Sequence, residues 1–185
     1  MEDELTKEAL IELTIKLLND GLDPRQITVR LIAQRAGVGV GLINYHFQTK
    51  DNLINLAVQK HINNVIVMTS DKLKEIKGSP KERLAGMAKA TLDYLAKYPA
   101  ISRVSILRDL SSGNTDDNTQ HTFKAYQQLV SQVVGEKDAV QKTLVLLFTC
   151  QGIFLRAQVI KEECGFDFFD KIQRDKLIDN LVGML

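Results

Sequence analysis

Apolar side chains return every three or four residues through most of the chain, and the whole of it reads as helix. The first run, from about Glu4 to Asn19, turns Ala9, Leu10, Leu13, Leu17 and Leu18 inward and stops at Gly21. Thr28 can then cap a helix that starts at Val29 and carries Val29, Ile32, Ala33 and Ala36 as a narrow inner stripe, leaving Arg30, Gln34 and Arg35 outside. Gly37 follows, where a sharp turn between helices favours a residue tolerant of positive φ. A helix of only about two turns comes next, from about Val40 to His46. It buries Ile43 and Phe47 together with Val38 and must dock on its neighbours to persist. Its other face offers Val40, Gly41, Leu42, Asn44, Tyr45 and His46. Thr49 caps a long helix from Lys50 and Asp51 to about Lys77, with Leu53, Leu56, Ala57, Ile62, Val65, Ile66 and Leu73 inward and Gly78 beyond its end.

Ser79 and Pro80 are a helix start, with proline at the first helical position. That helix, to about Lys97, buries Leu84, Met87, Ala88, Leu92 and Leu95; Pro99 opens a shorter one holding Ile101, Val104, Ile106 and Leu107. The stretch from Ser111 to Thr119 has no apolar residue and predicts a loop, followed by a helix from about Gln120 to Val134 that Gly135 breaks. From Lys142 to Ile160 the chain is apolar nearly all the way round, so it must be covered on every side. Gln151, Arg156 and Gln158 within it argue against a membrane span, and Gly152 permits close approach. The last helix, about Phe168 to Leu185, repeats the apolar pattern with Phe169, Ile172, Leu177, Ile178, Leu181 and Val182.

The 185 residues carry a net charge of +1, with 44% apolar residues, enough for a real core. Charge is nonetheless segregated. From Pro24 to Lys60, Arg25, Arg30, Arg35, Lys50 and Lys60 face Asp51 alone, whereas residues 1–23 hold seven acids against Lys7 and Lys16. A local excess of cations on a helix-turn-helix points to DNA. Gly37, Gly39 and Gly41 follow no strand, lack GxGxxG spacing and precede no GK[ST], which rejects a nucleotide site. Cys150 and Cys164 form no CxxC, so neither zinc nor a structural disulfide is expected. A reducing cytoplasm fits, and the acidic N-terminus is no signal peptide. His46, His61 and His121 are scattered without a supporting motif, so no catalytic residues, metal or cofactor are expected.

The string from Ile27 to Leu53, with T-x-R-x-I-A-x-x-A-G-V at Thr28 to Val38 and Y-H-F-x-x-K at Tyr45 to Lys50, closely resembles the DNA-binding half of the TetR family of transcriptional regulators. The resemblance implies an all-α fold. It would have an N-terminal three-helix helix-turn-helix DNA-binding domain, residues 1–50, and a C-terminal ligand-binding and dimerisation bundle, residues 51–185. It implies phosphate contacts at Thr28, Tyr45 and Lys50. Chemistry adds Arg30 toward guanine, Asn44 toward adenine, and Val40 and Leu42 toward thymine methyls, with Gly41 on the same DNA-binding face; His46 either meets phosphate or merely closes the helix. Gly39, Val40 and Gly41 stand where many relatives carry hydroxyl or charged residues, so readout leans on apolar contact and DNA shape.

Two apolar C-terminal helices per subunit would make a four-helix homodimer interface through Leu147, Phe154, Phe169, Ile172, Ile178 and Leu181. Two heads at fixed spacing suit a palindromic double-stranded operator. The family resemblance further implies a repressor that releases its operator when a small-molecule effector enters the bundle. Met87, Tyr94, Ile106, Phe123, Tyr126, Phe148, Gln151 and Phe154 are candidate pocket residues, although core packing explains the same residues. Arg103, Arg108 and Arg156 either meet an anionic effector or pair with acids such as Asp109. A ligand-independent architectural or nucleoid-associated factor is the alternative, and a helical enzyme a remote one.

Overall fold

The computed structural model describes residues 2–74, 77–112 and 114–185, with backbone alone at residues 2, 3, 5 and 69–74. Among these it has ten helices and no strand: α1 (Glu2–Asn19), α2 (Val29–Ala36), α3 (Val40–Phe47), α4 (Lys50–Lys74), α5 (Pro80–Lys97), α6 (Pro99–Ser112), α7 (Asn118–Val134), α8 (Glu136–Leu155), α9 (Ala157–Cys164) and α10 (Lys171–Gly183). They form two compact units, Met1–Thr69 with Tyr98–Ser105, and Ser70–Lys97 with Ile106–Leu185. The boundaries fall inside α4, between α5 and α6, and inside α6.

In the first unit α1 buries Leu10, Ile11, Thr14, Ile15, Leu17 and Leu18, while Ala9 is exposed and Leu13 only half-buried. The inner face is therefore rotated from the one expected. Thr14 is tolerated there because its hydroxyl donates to Leu10 O at 2.8 Å. Along α4 the buried residues are Leu53, Ile54, Ala57, Val58, His61 and Ile62; Leu56 and Ile66, expected inside, are exposed. The side chain of Leu73 lies outside the described residues.

In the second unit Ser79 and Glu82 build a capping box: Ser79 Oγ accepts from Glu82 N at 3.3 Å and Ser79 N donates to Glu82 Oε2 at 2.7 Å. The expected loop from Ser111 to Thr119 contracts, because α6 keeps Ser111 and Ser112 and Asp117 caps α7 by accepting from Gln120 N at 2.8 Å. Polar residues here serve as caps, which a count of apolar positions cannot see. The apolar run to Ile160 is not one helix either. It breaks at Arg156, whose φ of −108° and ψ of 17° end α8 and start α9.

The core of this unit joins Leu84, Ala88 and Leu92 of α5, Tyr126 and Val130 of α7, Leu146, Leu147, Cys150 and Phe154 of α8, and Ile178 and Val182 of α10. Arg174, buried on α10, locks α10 to α5 by donating to Asp93 Oδ1 at 2.7 Å and to Phe168 O at 2.9 Å. Burial pushes the Asp93 carboxyl up, but hydrogen bonds from Arg174 and Lys171 outweigh it and hold the group below the ordinary carboxylate range.

Candidate nucleic-acid interface

The reading surface starts from the caps of α2. Thr28 Oγ1 accepts from Leu31 N at 3.1 Å, fixing the first turn. At the other end Gly37 is left-handed, with φ of 68°; Val38 N donates to Ala33 O at 3.0 Å and Gly37 N to Gln34 O at 3.4 Å. This is the Schellman pattern, and it turns the chain sharply into α3. Ile32 and Ala33 are buried as expected, whereas Ala36, given to the inner stripe, is exposed next to that turn.

Within α3 the buried Ile43 and Phe47 are each about 1% exposed and hold the helix down. Opposite them Tyr45 is 73% exposed, with Asn44, Gly41 and Val40 also exposed and Leu42 and His46 half-buried. The Tyr45 ring stands edge-on to His46, centroids 5.2 Å apart. Gly39 supplies no side-chain cap at the start of α3.

The exit from α3 is strained. Gln48 has φ of 62° and ψ of −50°, and Thr49 N donates across it to Phe47 O at 2.7 Å, a tight three-residue turn. Such a backbone costs about 1–3 kcal/mol and needs surrounding structure to hold it. Asn52 Nδ2 supplies some, donating to the same carbonyl at 3.0 Å, and Thr49 Oγ1 caps α4 by accepting from Asn52 N at 3.1 Å. The result is a one-turn reversal that fixes α3 against the start of α4.

Charge is sparser than the count of +4 between Pro24 and Lys60 implies. Lys60 is spent on Glu8 and Glu12 of α1. Arg25 pairs with Asp23 at 2.6 Å, and its hydrogen bonds hold the Asp23 carboxyl down to about 2. Lys50 donates to Pro24 O at 3.4 Å and lies 3.7 Å from Asp51. Arg30 and Arg35 are exposed and make no ion pair among the described residues. Arg35 is exposed as well, but five residues on it lies about 140° around α2 from Arg30.

Residues 23–57 match the family model for bacterial regulatory proteins, tetR family. The reading head is thus similar in sequence to that of TetR-family regulators. TetR-like architecture extends over the rest of the chain. A TetR-like transcriptional regulator from Rhodococcus sp. RHA1 superposes with a TM-score of 0.66 at 14% identity, covering 96% of this chain and 93% of that one. A transcriptional regulator from Pseudomonas aeruginosa PAO1 gives 0.62 at 22% identity, over 100% of this chain and 91% of that one. The transcriptional regulator FadR from Bacillus subtilis, in complex with stearoyl-CoA, gives 0.60 at 16% identity, over 95% and 97%. No curated protein matches the chain by sequence.

The pocket and interface candidates all lie in the second unit of this TetR-like fold. Of the pocket residues, Ile106, Tyr126 and Phe154 are buried in its core, Met87, Tyr94 and Phe123 pack against that core half-buried, and Gln151 is 6% exposed. Phe148 is 44% exposed and belongs to the outer surface instead. The interface residues divide as well. Leu147, Phe154 and Ile178 are buried in the core and offer a partner nothing; Leu181 is half-buried, and Phe169 and Ile172 are 54% and 80% exposed. The outer stripe of α8 is Val140, Leu144, Phe148 and Gly152, spaced four apart, with Val145 beside it. By length and composition alone α8 is apolar enough to cross a membrane; its inner side is core, and this stripe is the side left uncovered. Burial pushes the Cys150 thiol up to about 12, so it stays protonated and behaves as a small apolar side chain.

Proposed function

We propose that the chain is a homodimeric cytoplasmic repressor that reads an inverted-repeat operator with two copies of α3 and lets go when a small molecule binds its bundle. One observation carries the DNA half of this reading: Tyr45, Asn44 and Val40 stand exposed on a two-turn helix that buried Ile43 and Phe47 hold in a TetR-type head. Support for the dimer is the apolar stripe of α8 with Phe169 and Ile172, too large an apolar surface to leave in water. Support for an effector is the fold shared with a regulator held in complex with stearoyl-CoA. The buried Tyr126, Phe154 and Ile106 favour a second reading, a filled bundle and a DNA-binding factor without ligand. Both readings leave catalysis out.

Fluorescence anisotropy on short duplexes tests the DNA half. Tyr45→Ala removes an exposed ring from the proposed phosphate contact, so affinity should fall about tenfold on every sequence with the fold intact. Arg30→Ala should instead cost about 1–3 kcal/mol on the operator and relax preference at one base pair. Unchanged affinity in both variants would place the DNA surface elsewhere.

A further inference from the structure

Three successive helices of the second unit meet in a buried polar node. Asp109 of α6 accepts through Oδ2 from Thr119 N at 2.9 Å and from Thr119 Oγ1 at 3.1 Å, both on α7. Gln151 of α8 donates through Nε2 to Thr119 Oγ1 at 3.0 Å. With Asp109 ionised, the threonine hydroxyl gives its one proton to that carboxylate and accepts from Gln151. The amide of Gln151 is thereby oriented with Oε1 turned away from Thr119. That oxygen is buried and has no hydrogen-bond partner among the described residues, in a side chain only 6% exposed. A buried acceptor left unpaired is costly, so Oε1 calls for a hydrogen-bond donor from water or from a ligand.

What remains at the node is two acceptors, Gln151 Oε1 and the second oxygen of Asp109, beside one amide proton of Gln151 Nε2. Cations do not balance it from inside, since Arg108 and Arg156 are both exposed. Burial pushes the Asp109 carboxyl above its ordinary range, and the nearby Asp117 adds to that; the Thr119 hydrogen bonds and Arg108 oppose them. Its surroundings are apolar, with Cys150 and Phe154 beside Gln151 on α8 belonging to the core. An incoming carboxylate would meet two like dipoles and a desolvated acid, whereas an N–H donor would meet two waiting acceptors.

We infer that Asp109, Thr119 and Gln151 form the head-group subsite of the effector, and that this effector is an organic ammonium with an apolar tail. The inference rests on the proposal that a ligand enters the bundle, and adds its chemical class. Arg103, Arg108 and Arg156 drop out as anion ligands in this account.

The test uses the full chain with three probes of one tail length, n-octylamine, octanoate and 1-octanol, each below its aggregation concentration, read by calorimetry and thermal melting. Octylamine should bind and raise the melting temperature, octanoate should not, and octanol should bind at least tenfold more weakly. Gln151→Leu and Asp109→Asn should each weaken octylamine at least tenfold. Asp109→Asn keeps an acceptor for Thr119, so it is the variant expected to fold unchanged. Octanoate binding as tightly as the amine, amine affinity unmoved in a folded Asp109→Asn variant, or no amine binding at all, the node holding water only, would each overturn the inference. Operator release separates the two levels. Release by octanoate but not octylamine would sink the ammonium subsite and keep the ligand-release reading; a complex that no apolar small molecule releases would sink that reading itself.

Discussion

Phe148→Asp is expected to yield a folded monomer that has lost its operator, while Leu147→Asp, one residue away, unfolds the second unit. The two side chains leave α8 about 100° apart. Leu147 is 3% exposed within the core, and a carboxylate there has no partner, a burial that no small domain absorbs. Phe148 is 44% exposed on the stripe it shares with Val140, Leu144 and Gly152, so in the monomer its replacement touches mainly water. In a two-fold interface the new charge enters twice, and each copy opposes burial. Dimer dissociation should rise about a hundredfold or more, and operator affinity should fall with it because each head then binds alone. Light scattering with circular dichroism reads both variants. A Phe148→Asp chain that remains dimeric would remove the α8 stripe from the interface.

Phe47→Ala is the counterpart in the head. Phe47 is 1% exposed and anchors α3 just before the strained turn at Gln48, so its truncation opens a cavity where the surroundings are least able to close. The expected loss is about 3–5 kcal/mol. That is a large share of what a small helical unit possesses, and α3 should lose its fixed position even where the chain stays partly folded. Denaturant titration should show the shift, and binding to all duplexes should vanish. Tyr45→Ala, two residues earlier but 73% exposed, should weaken binding without moving the denaturation midpoint. Equal stability of Phe47→Ala and the parent chain would contradict the packing described for the head.

The head was legible because its signals are local. Thr28, Gly37 and Thr49 act as caps through bonds spanning a few residues, and Ile43 and Phe47 lie on the one stripe that a short helix can bury. The bundle was less so. On α8 apolar residues occupy both faces, so periodicity could not tell Leu147, which turns in, from Phe148, which turns out. Nor can a sequence show charge being spent at long range: Lys60 counted toward the head until Glu8 and Glu12 of α1 claimed it. The polar node at Asp109, Thr119 and Gln151 was divided in the same way. Gln151 stood among pocket residues, Thr119 lay in an expected loop and Asp109 appeared only as a partner for surface arginines, because the three meet from separate helices.

Selection of duplexes from a random pool by the purified full chain tests the central claim most directly. The account predicts enrichment of an inverted repeat whose half-sites lie about one helical turn, or a multiple of it, apart, with enrichment lost in Tyr45→Ala and in the Phe148→Asp monomer. A pool that stays random, or a selected sequence without two-fold symmetry that both variants bind as well as the parent, would contradict it.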